Sequence, residues 1–205
     1  GMGGDGRVLA VVGDPTGIPT KPQQVWDFGE GSGWRQLMGA RPPQVGQAAM
    51  WFAGPDAFLS GGWNITYAVV PGTWRFDTTR ALWAQVSSTT PTFGWGQFAF
   101  TTGAQTTVLG VGANDVDVAT FDHASSTWGP TRTLPPRAYF GAAAVSSGDV
   151  VVFGGADPQS AIIADTRVLH AGVWHGVTGP QPLARQQPAM VGLGTSVLMI
   201  GGFDA

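Results

Sequence analysis

Adjacent glycines that follow a short apolar run recur about every 45 residues along this chain of 205 residues, and this period constrains the fold more than any other feature. In two of the five copies, at 11–14 and 109–113, the adjacent glycine pair is incomplete. A fixed period of this length indicates one supersecondary unit stacked several times. The chain is therefore predicted to be a repeat protein. The five copies are Val-Val-Gly-Asp (11–14), Leu-Ser-Gly-Gly-Trp (59–63), Leu-Gly-Val-Gly-Ala (109–113), Val-Phe-Gly-Gly-Ala-Asp (152–157) and Met-Ile-Gly-Gly-Phe-Asp (199–204).

Three further markers recur in phase with the glycines. A tryptophan returns at spacings of 49, 45 and 46 residues, at Trp34, Trp83, Trp128 and Trp174. An aromatic-Asp pair comes shortly before it in three units, at 26–27, 76–77 and 121–122. An arginine with a nearby proline follows it at Arg41, Arg137 and Arg185. Four markers in one phase define a single repeating unit.

The order of these markers resembles the kelch repeat family, and segment 136–155, which runs from Pro-Arg to Gly-Gly, matches it best. The resemblance covers almost the whole chain. It implies an all-β fold of kelch-type β-propeller blades, each with four antiparallel strands. We expect about four to five blade equivalents in one domain, 1–205. The repeats are predicted at 7–53, 57–101, 106–146 and 149–193, with a partial one at 196–205.

Apolar runs of four to eight residues, separated by 32 glycines and 15 prolines, predict short strands and no helix longer than one turn. The strands of each blade are labelled a to d. The b strands are predicted near 7–13, 57–62, 106–112, 149–155 and 196–202, and the c strands near 24–28, 73–77, 117–122 and 165–170. The d strands are predicted near 33–38, 82–87, 127–132 and 173–178, and the a strands near 46–53, 92–101, 138–146 and 186–193.

These seventeen predicted strands begin and end at a b strand, whereas a closed ring of four-stranded blades needs a multiple of four. We therefore expect an incomplete ring. Three explanations remain open: a fragment of a larger propeller, a ring completed by another chain or by self-association, and a small ring of four blades. In the last case strand 186–193 would supply the missing a strand of the first blade.

Composition excludes several classes of function. The chain has no cysteine, which excludes disulfides, thiolate metal sites and Cys nucleophiles. Its net charge is −3 and its basic residues are scattered, so we expect no nucleic-acid partner. No apolar run approaches the roughly 18 residues of a membrane helix, and no signal-peptide pattern is present. We expect a soluble protein with no membrane partner, cytoplasmic by default.

No catalytic constellation is evident. Glu30 is the only glutamate, so carboxylate pairs are poorly supplied. His170 and His175 flank a predicted turn near Asp165, but a metal site there would need a further ligand placed by chance. Among the enzymes of kelch type, the copper oxidases need a cysteine that this chain lacks. We therefore expect no enzyme activity, no cofactor and no metal.

The b–c and d–a connections are predicted to share one end of each blade, because strand direction alternates in an antiparallel sheet. Long loops on a rigid scaffold commonly carry binding residues. The alternative is that these loops are solvent-exposed connectors and that their arginines are structural. The candidate partner-binding residues are Asp14, Lys21, Arg41, Trp63, Asn64, Arg137, Asp157 and Arg185.

These features favour a non-catalytic scaffold that binds a protein through this loop face. The alternative is a sugar-directed enzyme, similar to the mutarotases of the family, or a carbohydrate-binding propeller fragment. We also expect self-association or a complementing chain at the terminal blades, because unpaired strand edges template further pairing.

Ten residues form the structural repeat signature. Paired glycines at a strand end suit positive φ or a close backbone approach, and large aromatic side chains suit equivalent buried positions between or within blades. The signature consists of Gly61, Gly62, Gly154, Gly155, Gly201, Gly202, Trp34, Trp83, Trp128 and Trp174.

Overall fold

A computed structural model describes residues 8–12, 23–38, 42–91, 93, 95–112 and 115–204. The fold is all-β, as predicted: the described residues form eighteen strands in five antiparallel sheets and contain no helix. The chain divides into two compact units, one within residues 1–113 and 117–132 and the other within residues 114–116 and 133–205.

The first unit contains three sheets, called blades 1 to 3, that follow one another along the chain. In blade 1 the order is β1-β2-β3, in blade 2 it is β4-β5-β6-β7, and in blade 3 it is β8-β9-β10-β11, with β12 also paired to β10. The strands of blades 1 and 2 are β1 (Val8–Val12), β2 (Gln24–Gly29), β3 (Gly33–Leu37), β4 (Ala49–Ala53), β5 (Asp56–Ser60), β6 (Thr73–Asp77) and β7 (Leu82–Ser87). Those of blade 3 are β8 (Trp95–Thr102), β9 (Gln105–Val111), β10 (Val116–Asp122), β11 (Thr127–Trp128) and β12 (Arg132–Leu134).

The second unit contains a four-stranded sheet, blade 4, and a two-stranded sheet, half-blade 5. Blade 4 has the order β13-β14-β15-β16, the same as blade 2. Half-blade 5 consists of an a strand and a b strand. The strands are β13 (Gly141–Ala144), β14 (Val150–Phe153), β15 (Thr166–His170), β16 (Val173–Gly176), β17 (Ala189–Leu193) and β18 (Ser196–Ile200).

The predicted strand order is confirmed, but several ends differ for identifiable backbone reasons. The b strands stop before the glycine pair, because both glycines adopt positive φ. The a strands begin about three residues late, because Gln47, Tyr139 and Gln187 also have positive φ. The predicted d strand 127–132 is divided into β11 and β12, because Pro130 lacks the N–H that a ladder needs.

The four signature tryptophans occupy one register position. Each lies on a d strand, directly opposite an apolar residue of the c strand. The pairs are Phe28 with Trp34, Phe76 with Trp83, Phe121 with Trp128, and Leu169 with Trp174. The sequence alignment of the repeats therefore corresponds to a common backbone position.

Blade 2 has two apolar faces because it packs against blade 3 on one side and blade 1 on the other. In blade 2, Trp51 and Phe58 lie on one side, which we call face A, and they pack against Phe121 and Trp128 of blade 3. The opposite side, face B, carries Phe76 and packs against blade 1. In the first unit, face A of blades 1 and 2 thus meets face B of the next blade in the chain. The core around face A of blade 2 is Ala49, Trp51, Phe58, Phe93, Val108, Ala119 and Phe121; the core around its face B is Leu9, Val25, Ala57 and Phe76.

The prediction that all four tryptophans are buried is wrong for Trp34. Its side chain is 53% exposed, whereas Trp83, Trp128 and Trp174 are half-buried. Trp34 lies on face B of blade 1, the face that a preceding blade covers in blades 2 and 3. Burial of this position therefore depends on a neighbouring sheet and not on the repeat itself.

Candidate functional site

Glycine pairs stand at the start of the b–c loops of blades 2 and 4. Gly61 and Gly62 have φ values of 68° and 82°, and Gly154 and Gly155 have 68° and 98°. A Cβ at Gly62 would lie 2.5 Å from the carbonyl oxygen of Gly46, and one at Gly155 would lie 2.5 Å from that of Ala138. Positive φ and close backbone approach both exclude a side chain there.

The b–c loop of blade 2, residues 63–70, is held by backbone bonds and by one asparagine. Trp63 exchanges two backbone hydrogen bonds with Gly46. Asn64 Oδ1 accepts hydrogen bonds from the backbone N–H of Thr66 at 2.9 Å and of Ala68 at 3.1 Å. The loop is therefore tied at its base and across its interior, in the manner of an Asx turn.

The b–c loop of blade 4 has the same construction. Ala156 exchanges two backbone hydrogen bonds with Ala138. Asp157 Oδ1 accepts from the backbone N–H of Gln159 at 2.9 Å and of Ala161 at 2.8 Å. Asn64 and Asp157, two of the predicted binding residues, thus occupy equivalent positions, and each uses a side-chain oxygen to organise its own loop.

The two loops differ in what they expose. In the blade 2 loop, Ile65, Tyr67 and Val69 are 54%, 62% and 38% exposed, and the ring of Tyr67 lies 5.6 Å from that of Trp63 in an edge-on contact. The blade 4 loop exposes Pro158, Gln159 and Ser160 at the corresponding stretch. Sequence reasoning identified Trp63 but missed the three exposed neighbours, because the sequence of a loop does not show which of its side chains are exposed.

Arg137 is a structural residue: it is 4% exposed, and its guanidinium bonds within the blade. Nη1 and Nη2 lie 2.6 Å and 3.1 Å from the two carboxylate oxygens of Asp165, and Nη1 also donates to the Gly154 carbonyl oxygen. Arg167 Nε lies 2.7 Å from Asp165. Burial alone would raise the pKa of Asp165, but the hydrogen bonds from Arg137 and then Arg167 outweigh it and hold that pKa below its usual value.

Arg185 is the register equivalent of Arg137 in the next repeat. Its Nη1 donates to the carbonyl oxygen of Gly201 at 2.6 Å, as Arg137 does to that of Gly154. Arg185 is half-buried, and no described ion pair joins it to a carboxylate. The hydrogen bond from this arginine to the first glycine of the pair therefore recurs in both repeats. In blade 4, Asp165 adds an ion pair with Arg137.

The remaining predicted site residues, Asp14, Lys21 and Arg41, lie outside the described residues. In the described part of the first unit, the position equivalent to Arg137 is Val45, because each directly precedes the residue that bridges to the loop base. The repeat marker of this unit was predicted at Arg41, four residues earlier in the sequence.

Other titratable groups with a shifted pKa also have structural partners. Asp77 and Asp122 each accept backbone N–H bonds in c–d turns, which lowers their pKa. His170 Nδ1 lies 2.8 Å from Asp149 Oδ1, and this bond lowers the pKa of Asp149. Burial lowers the pKa of His123, which lies 2.9 Å from the Thr106 hydroxyl. Within the described ranges, no three His, Asp or Glu side chains are grouped to hold a metal ion.

The comparisons with known proteins show the fold. The chain is similar to the solved structure of YjhT, with a TM-score of 0.71 and 16% sequence identity over 97% of this chain and 74% of that chain. At this identity the likeness concerns the fold alone, and the four-stranded sheets are blades of the β-propeller type. No protein-family model and no curated protein sequence matches the chain. In the part of the chain described, no helix is long and apolar enough to span a membrane.

Proposed function

We propose that this protein is a non-catalytic scaffold of kelch β-propeller type that binds a protein partner through its loop face, chiefly through the b–c loop of blade 2. The observation that carries the proposal is the exposure of Ile65, Tyr67 and Val69 on a loop that is fixed at its base. Neighbouring exposed apolar side chains of this size favour an interaction surface.

The chemistry of this loop favours a protein as the partner. Tyrosine and tryptophan are enriched at protein interfaces because they offer a large contact area and a polar edge at low conformational cost. The rings of Tyr67 and Trp63 contact each other, so Trp63 restricts the position of the exposed Tyr67 ring. The capped backbone reduces the entropy lost on binding, since the loop needs little further ordering.

The backbone of Tyr67 supports a functional role as well. Its φ is 60°, in the left-handed region that bulky residues rarely adopt. The equivalent residue of the blade 4 loop is Ser160, with φ 66°; its N–H donates to the carbonyl oxygen of Asp157, as that of Tyr67 donates to Asn64. The fold requires this conformation in both loops, but it does not require an aromatic side chain there. The tyrosine therefore adds exposed surface and not stability.

The titratable groups support a role without catalysis. Strongly shifted pKa values commonly mark functional sites. Among the described residues, the carboxylates with lowered pKa cap turns or hold ion pairs, and His123 is packed against Phe58 and Phe121. Each shift thus has a structural cause.

The test compares Tyr67→Ser with the unaltered chain in affinity capture from an extract of the source cells. Serine already occupies the equivalent position 160, so the variant should keep the loop conformation and the thermal stability of the parent. We expect a specific protein to be retained by the parent and lost with the variant. The matched control Ser160→Ala, in the blade 4 loop, should retain it.

Two results would contradict this function. One is equal capture of the same proteins by the parent and by Tyr67→Ser, which would remove the loop from the interaction. The other is saturable binding of a sugar on a glycan array together with no captured protein, which would favour the carbohydrate-directed alternative.

A further inference from the structure

The b–c loop of blade 2 contains a short ladder with one outer edge. Trp63 forms an isolated antiparallel bridge with Gly46 on one side and with Val69 on the other. Trp63 and Gly46 exchange two backbone hydrogen bonds, so they form a hydrogen-bonded pair. The three residues are therefore neighbouring positions of a small sheet, and Val69 is its outermost member.

The hydrogen bonds on either side of the Trp63–Val69 pair fix the direction of the Val69 peptide groups. Trp63 and Val69 do not bond to each other, because the bonds of this ladder join the residues that flank them. In an antiparallel ladder, a residue of such a pair directs its own N–H and C=O away from the partner strand. The flanking bonds run from Asn64 N–H to the Ala68 carbonyl oxygen at 3.0 Å and from Val70 N–H to the Gly62 carbonyl oxygen at 2.9 Å.

Both outward groups of Val69 are available for a further strand. Among the described residues, neither its N–H nor its C=O has a hydrogen-bond partner, and the residue is 38% exposed. An unpaired N–H and C=O on an exposed edge template pairing with another chain. The edge is short, since Pro71 has no N–H to donate and the positive φ of Tyr67 ends the extended backbone on the other side.

The b–c loop of blade 4 has the same free edge but different side chains around it. Ile162 pairs with Ala156, and the bonds again join the flanking residues, so its N–H and C=O also face outward. The exposed stretch of that loop is Pro-Gln-Ser at 158–160, whereas blade 2 exposes Ile65 and Tyr67. The edge is therefore a product of the fold, and only blade 2 combines it with exposed apolar side chains.

We propose that the partner of the blade 2 loop presents an extended segment that pairs antiparallel with Val69 and adds one strand to the small sheet. This inference rests on the proposed function, because it specifies how that loop binds. One residue of the segment accepts from Val69 N–H and donates to Val69 C=O, as in β-strand addition. An extended backbone has these groups free, whereas a helix uses its interior N–H and C=O groups in its own hydrogen bonds.

The loop also determines the chemistry of the residue that pairs with Val69. Directly opposite side chains of a ladder lie on the same side of the sheet, so this residue would lie beside Val69, as Trp63 does on the other flank. The loop at 63–70 contains no charged residue, and a charge placed there would lose water without gaining a partner. We therefore expect a β-branched or aromatic residue at the pairing position.

The experiment starts from a display library of linear peptides of about seven residues, close to the length of an ordinary strand. A peptide enriched by the full chain is synthesised, and amide hydrogen exchange is measured by NMR with and without it. We expect the exchange of the Val69 amide to slow in the complex and that of the Ile162 amide to stay unchanged.

Two substitutions test the same bond by affinity. Val69→Pro removes the donor and should weaken binding of the peptide about tenfold, because the peptide carbonyl is left without its hydrogen bond. The matched control Ile162→Pro, at the equivalent edge of blade 4, should bind the peptide like the parent.

N-methylation of the peptide keeps the test valid even if Val69→Pro does not fold. Methylation of the residue that pairs with Val69 removes its donor to the Val69 carbonyl oxygen and should weaken binding. Methylation of either adjacent residue should not, because in an extended segment their N–H groups face away from Val69.

The failure of this inference differs from the failure of the proposed function. Binding that is lost with Tyr67→Ser but unchanged by Val69→Pro, with no protection of the Val69 amide, would overturn strand addition and leave the loop as the binding site. Failure of the parent to enrich any peptide would also overturn strand addition. Equal binding of the peptide by the parent and by Tyr67→Ser would contradict the proposed function, while protection of the Val69 amide reports on strand addition separately.

Discussion

Blade 2 and half-blade 5 pair their a and b strands in the same register, yet their A faces have opposite environments. In blade 2 this face carries Trp51 and Phe58, both nearly fully buried against blade 3. In half-blade 5 it carries Val191 and Leu198, both close to half exposed. Local pairing is therefore set by each repeat, whereas burial is set by the next sheet. How much a residue contributes to stability therefore depends on whether another sheet covers its side chain.

The largest expected effect contrasts two tryptophans at one register position. Trp128 packs against Trp51 and Phe121 and donates from Nε1 to the Thr73 hydroxyl at 2.9 Å, whereas Trp34 is mostly exposed. Trp128→Ala should lower the free energy of unfolding by about 3–5 kcal/mol, as for large core truncations. Trp34→Ala should cost under about 1 kcal/mol at low protein concentration. Denaturant titration measures both, and similar losses for the two would contradict the role of the covering blade.

A second contrast concerns the two equivalent arginines. Arg137→Met leaves the half-buried Asp165 carboxylate with Arg167 alone, and should cost about 2–3 kcal/mol, as for lost hydrogen bonds to a charged group. Arg185→Met removes a bond to a carbonyl oxygen and should have little effect on unfolding. Arg137→Lys should recover only part of the loss, because an ammonium cannot make the bidentate contact. Equal stability of the two Met variants would show that the ion pair contributes nothing.

The same ion pair has a pH signature. The pKa of Asp165 is held below its usual value in the folded state, so its contribution is fully present above the unfolded pKa of about 3.9 and is lost as the pH falls through the folded value. The stability of Arg137→Met should therefore decrease less on acidification than that of the parent. If stability decreased equally in both proteins on acidification, the loss would come from groups other than the Arg137–Asp165 pair.

His123 gives a smaller effect at a higher pH. Burial lowers its pKa, so the unfolded state binds the proton more readily and stability should fall as the pH decreases through about 6.5, the ordinary histidine value. His123→Phe should remove this component, because Phe58 and Phe121 already surround the ring. His175→Gln, at an exposed position, should retain it. Identical pH profiles for the parent and His123→Phe between pH 7 and 5 would contradict the assignment.

The smallest expected change repairs a missing contact. Trp128 Nε1 has the Thr73 hydroxyl as its acceptor, but the equivalent Trp83 Nε1 is buried with no partner, and Val25 stands at the position equivalent to Thr73. Val25→Thr should supply the acceptor and raise stability by at most about 1 kcal/mol, since burial of the hydroxyl offsets part of the gain. A loss of stability larger than that would show that the two blade interfaces are not equivalent at this position.

The sequence was sufficient to predict the strands, because glycine pairs and tryptophans report a register that every repeat shares. It failed where the outcome depends on another element. Trp34 has the same cross-strand aromatic neighbour as Trp83, but among the described residues no second sheet packs on its face, and no local pattern records that difference. Arg137 looked like a loop residue, and its burial depends on Asp165, which lies 28 residues further along the chain.

The loop residues show a second limit of sequence reasoning. Asn64 and Asp157 were predicted as binding residues because they lie in long b–c loops, but their side-chain oxygens cap the loops in which they lie. A polar residue after a strand end can serve either purpose, and only the backbone conformation distinguishes them. Tyr67 was missed for the converse reason, since an isolated aromatic residue in a loop does not reveal its exposure.

The central claim is that, within the first unit, face A of one blade is stabilised by face B of the next, and a double-mutant cycle between Trp51 and Trp128 tests it most directly. The rings lie 6.2 Å apart in an edge-on arrangement across blades 2 and 3. We expect the double alanine variant to be more stable than the sum of the single losses predicts, with a coupling energy of about 1–3 kcal/mol. Additivity of the two losses to within about 0.5 kcal/mol would contradict the claim that the two blades share this interface.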